Sequence, residues 1–152
     1  MDGGRYGPFA DGILSRVSEA NVELVRRIYR DGLIDRDPDE LLALSTADVE
    51  YVNPPEAVDP GTRRGAAEFR AALQNLSSHF ASQRNELREL FDFGDRVVAS
   101  VVFHARNRGS ETEISQEEAH TWTLSDGRVA RFEWGRDLGA ALEAAEGRLP
   151  TG

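Results

Sequence analysis

Two histidines are the side chains of this sequence best suited to proton transfer. His104 and His120 both lie in stretches whose residue pattern is typical of β-strands. An imidazole can donate a hydrogen bond or act as a general acid or base near neutral pH. Their spacing fits neither an HxH nor an HExxH metal motif, and Glu117 falls on the opposite strand face from His120. We therefore expect acid–base chemistry that uses no metal ion and no organic cofactor.

The composition removes several other chemistries. The chain has 152 residues, and its 18 basic residues are all Arg, with no Lys and no Cys. Schiff bases, phosphate-binding P-loops, thiol nucleophiles, disulfides and cysteine–zinc sites are thereby excluded. The formal net charge of −9 disfavours nucleic acids, anionic membrane surfaces and anionic substrates. The expected partner is a small, neutral and largely apolar molecule.

Helices are predicted in the first half of the chain and at its end. Apolar residues near a 3.6-residue period predict a first helix over residues 18–34, and Asp37-Pro38 opens a short second helix. A third helix is expected over residues 66–80. A short amphipathic helix is expected over residues 138–145, capped by Asp137.

The second half of the chain has the pattern of a β-sheet. Four strands are predicted over residues 87–93, 97–106, 114–124 and 129–134, the last two joined by a tight hairpin at Asp126-Gly127. A short strand over residues 48–53 ends before Pro54, and residues 61–65 are interpreted as a turn. This order predicts an α+β fold in which helices pack on one face of a curved, mainly antiparallel sheet and leave a pocket.

One domain is expected over residues 18–147, between a flexible N-terminal segment (1–17) and a flexible tail (148–152). The first residues lack the basic and apolar regions of a signal peptide, and no apolar run is long enough to cross a membrane. We therefore expect a cytoplasmic protein.

Four motifs in this order resemble the NTF2-like superfamily, in particular its SnoaL-like and ketosteroid-isomerase-like (polyketide cyclase-like) members. They are DPDELLAL at 37–44, ADVEYVNPPE at 47–56, GTRRG at 61–65 and HTWTLSDGRV at 120–129. The resemblance covers about residues 21–147. It implies a cone-shaped α+β barrel with about three N-terminal helices, one deep pocket and, commonly, a homodimer.

The resemblance also implies catalytic positions. A ketosteroid-isomerase-like site uses a carboxylate base, with a Tyr and a protonated Asp as hydrogen-bond donors to the enolate oxygen. The Tyr of helix 1 matches Tyr29, the position of the base matches Asn53, and the second donor matches His120. Because an amide cannot accept the proton, steroid isomerisation itself is not expected. In the resulting hypothesis His120 transfers the proton, Tyr29 stabilises an oxyanion and Asn53 orients the substrate.

Strand alternation extends this site to substrate-binding residues. Trp122 shares a face with His120, Tyr51 with Asn53, and Phe132 with Trp134, which matches a pocket aromatic of the family. His104 is a further substrate-binding candidate, although spacing leaves open whether its face of the strand lines the pocket.

Two other functions remain open at this stage. The missing base at Asn53 favours a non-catalytic binder of hydrophobic ligands. The sheet could also serve as a protein-interaction surface, since the outward-facing Thr121, Thr123, Arg131 and Glu133 are compatible with a dimer.

Overall fold

The structure is a computed structural model that describes residues 11–147, so residues 1–10 of the predicted N-terminal segment (1–17) and the whole predicted tail (148–152) lie outside the described residues. Within this range the chain forms five helices and six strands. The helices are α1 (Asp11–Arg30), α2 (Leu33–Arg36), α3 (Pro38–Ala43), α4 (Ala66–Ser78) and α5 (Leu138–Gly147). The strands are β1 (Ser45–Asn53), β2 (Gly61–Arg64), β3 (Phe80–Asp92), β4 (Arg96–Asn107), β5 (Glu113–Ser125) and β6 (Arg128–Gly135).

The predicted first helix is divided into two. Gly32 adopts a left-handed conformation with φ 64°, which glycine reaches at little steric cost, and the chain turns there between α1 and α2. Four helices therefore precede β3 instead of about three. Helix α1 also begins at Asp11, before the predicted start at Ser18. Helix α3 begins at Pro38 as expected, and the Asp37 carboxylate caps it by accepting a hydrogen bond from the Glu40 N–H at 3.1 Å.

The strands form one curved, unclosed sheet in the order β2-β1-β6-β5-β4-β3. Neighbouring strands are antiparallel except for the parallel pair β1 and β6. Asp126 and Gly127 have φ values of 51° and 76°, as a tight hairpin between β5 and β6 requires. The predicted α+β fold with a mainly antiparallel sheet is confirmed.

Two strands differ from their predicted form. Residues 61–64, interpreted as a turn, are the edge strand β2, where Arg63 lies opposite Tyr51 in β1. Strand β3 begins at Phe80 instead of Leu87. Both segments lie at sheet edges and carry mostly polar side chains, none of them fully buried, so they lack the apolar alternation that identifies a half-buried strand.

Different helices pack on the two faces of the sheet. Helices α1–α4 cover one face of the sheet, which we call the inner face. The helix residues Ile28, Leu41 and Phe69 and the sheet residues Val97 and Trp122 belong to one cluster there, and all five are fully buried. Helix α5 packs on the opposite, outer face against Phe93 and Val98. Each large buried side chain contributes about 1.5–3 kcal/mol relative to exposure, so the inner cluster is the main source of stability. No helix within residues 11–147 is long and apolar enough to span a membrane.

Candidate functional site

A cavity of about 550 Å³ lies on the inner face of the sheet. Its aromatic wall is made by Tyr51, Phe80, Phe103, Phe132 and Trp134, on four different strands. The exposed loop residues Val58 and Asp59 border its opening. The volume lies in the range of small-molecule sites, which combine apolar walls with a few directed polar groups.

A chain of hydrogen bonds runs from this cavity into the core. The Glu118 carboxylate lies 2.9 Å from Nε2 of His120, and Nδ1 of His120 lies 2.6 Å from the Tyr29 hydroxyl. The Trp122 indole N–H donates to the same hydroxyl oxygen at 2.9 Å. Strand β5 supplies three of these residues at alternate positions on its inner face, and α1 supplies Tyr29. The four side chains therefore form one continuous relay.

The direction of these bonds follows from the groups involved. An ionised carboxylate can only accept, so Nε2 of His120 carries the proton that Glu118 receives. In neutral imidazole Nδ1 is then the acceptor, and the Tyr29 O–H donates to it. The hydroxyl oxygen still accepts from Trp122, so every group in the relay is satisfied. Burial raises the pKa of the Tyr29 phenol well above its ordinary value, which keeps that O–H in place as a donor.

A second cluster lies on the β1 and β6 side of the cavity. The Trp134 indole N–H donates to Oδ1 of Asn53 at 2.7 Å, and Nδ2 of Asn53 donates to the Asp59 carbonyl at 2.9 Å. Asn53 thus ties the loop at the cavity opening to the sheet and keeps one N–H free for a ligand. Burial raises the pKa of Tyr51, and the negative charge of Glu118 raises it further, so its phenol stays protonated.

The structure brings five of the eight predicted site residues to the cavity surface: Tyr51, Asn53, His120, Phe132 and Trp134. Tyr29 and Trp122 are corrections to the predicted placement. Both belong to the buried core, and His120 lies between Tyr29 and the cavity. Alternation identified the correct strand face for Trp122, but it does not show that α1 and Phe132 cover that part of the face.

His104 is also a correction, because it lies on the outer face of β4. Its inward-facing neighbour Phe103 lines the cavity instead. Nε2 of His104 lies 2.8 Å from Glu86, and Nδ1 lies 2.9 Å from the Ser115 hydroxyl. His104 therefore has no contact with a ligand in the cavity. Among residues 11–147, no group of three or more His, Asp or Glu side chains is placed to hold a metal ion.

Glu118 is the functional candidate that the sequence analysis did not select. It lines the cavity beside His120, and its side chain is 10% exposed. Gln116, two residues earlier on the same face, donates to its second oxygen at 2.7 Å. The signal was present in the sequence, since alternation from His120 places residues 118 and 116 on the inner face.

The SnoaL-like domain model matches residues 25–132, which is more than half of the chain. The chain belongs to the SnoaL-like family. Its match covers β1 to β5 and the first part of β6, and it includes Tyr29, Asn53, Glu118 and His120. No curated protein gives a significant match to this SnoaL-like chain.

Solved structures support the same assignment. TerC, co-crystallised with polyporic acid, is 29% identical over 84% of this chain and 98% of its own, with a TM-score of 0.67. An NTF2-like protein from Burkholderia pseudomallei is 24% identical over 82% of this chain and 95% of its own, with a TM-score of 0.68. A candidate SnoaL-like polyketide cyclase from Jannaschia is 20% identical over 88% of this chain and 96% of its own, with a TM-score of 0.70. The latter two show that this SnoaL-like chain shares their fold.

Proposed function

We propose that this protein carries out cofactor-free acid–base chemistry on a neutral, largely apolar or polycyclic small molecule, as an isomerase, cyclase or hydrolase does. One observation carries the proposal. The Glu118 carboxylate lines an aromatic cavity and accepts a hydrogen bond from the buried His120. Membership of the SnoaL-like family and the polyketide cyclase-like neighbour agree with this class of chemistry.

Glu118 is a better direct proton acceptor than His120. Both ring nitrogens of His120 are already bonded, one to Glu118 and one to Tyr29. Each oxygen of Glu118 accepts one protein hydrogen bond and keeps a further lone pair. In the proposed mechanism, therefore, His120 orients and polarises the carboxylate while Glu118 accepts the proton.

Tyr51 and Asn53 supply hydrogen bonds to a substrate oxygen. Tyr51, whose phenol is protonated, and Asn53, which keeps one N–H without a partner among the described residues, both line the cavity. Donors fixed in a site of low water content stabilise a developing oxyanion more strongly than water does. The sequence analysis gave the stabilisation of an oxyanion to Tyr29. Because the Tyr29 hydroxyl is already bonded to His120 and Trp122 in the core, we assign this role to Tyr51 instead.

The proposed step conserves protons and electrons. Glu118 removes a proton from carbon next to a carbonyl, and the electron pair of that C–H bond moves into an enolate whose oxygen receives the hydrogen bonds of Tyr51 and Asn53. The carboxylic acid formed on Glu118 then returns the proton to carbon or oxygen. A general base of this kind typically contributes about 10²–10⁴-fold in rate.

A comparison with a relative supports an organic ligand. TerC, 29% identical to this chain, crystallised with polyporic acid. The aromatic wall of Tyr51, Phe132 and Trp134 is suited to stacking on a flat ring system. We therefore expect ligands with one or more fused rings.

Proton exchange tests the function without knowledge of the natural substrate. We expect the wild type to bind 2-tetralone, an apolar bicyclic ketone, and to accelerate exchange of its α-protons for deuterium in D₂O, followed by proton NMR. Glu118→Gln should reduce the catalysed exchange at least about 100-fold. Glu117→Gln is the matched control, because Glu117 is exposed on the outer face, and it should exchange like the wild type. Equal exchange by both variants would refute the role of Glu118.

A second function, ligand binding without turnover, is favoured by Asn53. Its amide cannot act as a base, and its oxygen and one N–H are already bonded to Trp134 and to the loop carbonyl of Asp59. A pure binder would take up 2-tetralone with micromolar affinity and leave its exchange at the uncatalysed rate in both the wild type and Glu118→Gln.

A further inference from the structure

His79 is an imidazole at the cavity that the proposed mechanism does not use. It directly follows α4 and is exposed, so it lies at the opening and not at the buried end near His120. It lines the same cavity as Glu118. A ligand that reaches Glu118 therefore shares its space with a second titratable ring.

The protonation pattern of His79 follows from one contact. Nδ1 lies 2.6 Å from the backbone carbonyl of Asn75, in the last turn of α4. A carbonyl oxygen only accepts, so Nδ1 must carry a proton and donate it. In the neutral ring Nε2 is then an unprotonated acceptor, and it has no hydrogen-bond partner among residues 11–147. The two ring nitrogens of His104, in contrast, both have side-chain partners.

We propose that His79 recognises a hydroxyl group of the ligand, a phenol or an enol, by accepting its hydrogen bond at Nε2. The inference rests on the proposed function because both place the ligand in the same cavity. A neutral imidazole with a bare Nε2 accepts a hydrogen bond from an O–H and offers nothing to an ether or ketone oxygen in the same position. His79 thus makes the site selective for ligands that carry a hydroxyl at the end directed towards the opening.

Two matched probes measure this selectivity. 2-Naphthol and 2-methoxynaphthalene share a ring system and differ in the hydrogen-bond donor, and isothermal titration calorimetry gives the Kd of each. One net hydrogen bond predicts that the wild type binds the naphthol about 5–10-fold more tightly. In His79→Phe the ratio of the two Kd values should fall to about 1–2, with the affinity for the ether nearly unchanged. His104→Phe, the same substitution on the outer face, should keep the wild-type ratio.

The possible results separate the two proposals. A wild-type ratio near 1, or a preference for the naphthol that survives in His79→Phe, overturns the assignment of His79. In that case the Glu118-dependent exchange of 2-tetralone still stands as evidence for the proposed function. If neither the naphthalenes nor 2-tetralone binds, the cavity is not a ligand site, and both proposals are wrong.

Discussion

The Tyr29 hydroxyl lies 2.6 Å from Nδ1 of His120 and thereby couples the first helix to the floor of the cavity. The two rings are stacked, with centroids 5.9 Å apart and planes inclined by 21°. Because Tyr29 fixes the imidazole from the core side, the Nε2–H of His120 is directed at Glu118. The position of the cavity carboxylate thus depends on a side chain that no ligand touches.

Removing that hydroxyl should destabilise the fold. Tyr29→Phe leaves the Trp122 N–H and Nδ1 of His120 buried without their partner, so we expect the free energy of unfolding to fall by about 2–4 kcal/mol in urea titrations. Tyr51→Phe is the comparison, because the Trp134 N–H keeps Asn53 as its acceptor, and its cost should be below about 1.5 kcal/mol. Equal losses in the two variants would contradict the buried relay.

The two tryptophans should report differently on ligands. Trp134 lines the cavity, whereas Trp122 is fully buried in the core. Trp122→Phe should therefore retain most of the fluorescence quenching caused by a bound naphthalene, and Trp134→Phe should lose most of it. Stronger quenching in Trp134→Phe than in Trp122→Phe would show that the ligand binds elsewhere.

Two carboxylates should give opposite pH dependences of stability. Hydrogen bonds from Arg64 and then Arg131 hold the pKa of Glu50 below its usual value, whereas burial raises the pKa of Asp35 despite hydrogen bonds from Asn85. The stabilisation from Glu50 is complete above about pH 4.3 and is lost as the pH falls through its lower folded-state pKa. The penalty from Asp35 is absent below about pH 3.9 and grows as the pH rises through its higher folded-state pKa.

Thermal melts between pH 2.5 and 7 measure both effects. Relative to the wild type, Glu50→Gln should weaken the loss of Tm on acidification. Asp35→Asn should instead increase the rise of Tm from acid to neutral pH. A change of the same sign in the two variants would contradict the opposite shifts of their pKa values.

Asn53→Asp should loosen the loop at the cavity opening. The new carboxylate keeps the bond from the Trp134 N–H but places an oxygen where Nδ2 faces the Asp59 carbonyl at 2.9 Å. At pH 8 we expect a loss of about 0.5–1.5 kcal/mol in unfolding free energy, because the Asp59 carbonyl loses its donor. Near pH 5 the loss should be smaller, since a protonated carboxyl can donate to that carbonyl. Asn107→Asp, at an exposed cavity position, serves as the control and should show no such pH dependence.

Strand alternation carried most of the site prediction. It placed His120, Trp122, Tyr51 and Phe132 on the inner face, and all four have their side chains there. It could not distinguish cavity wall from core, because that depends on where α1 and α4 lie over the sheet. The same rule applied to residues 116 and 118 predicts the Glu118 and Gln116 pair beside His120.

Other features depend on contacts that are distant in sequence. The apolar period continues through Leu33 and Ile34, so the pattern shows no break at Gly32. Strand β2 is polar on both sides, and its pairing of Thr62 with Val52 is what makes it a strand. Local propensity cannot identify a segment whose conformation is set by its partner.

The parallel pairing of β1 with β6 also determines when the cavity can exist during protein synthesis. Phe132 lies beside Tyr51, and the Trp134 to Asn53 bond joins residues 81 positions apart. While β1 through β5 leave the ribosome, β1 lacks this neighbour and offers an unpaired edge to other nascent chains. The complete cavity forms only after translation has passed β6, so we expect chains that stop before residue 128 to lack the cavity and to be prone to aggregate.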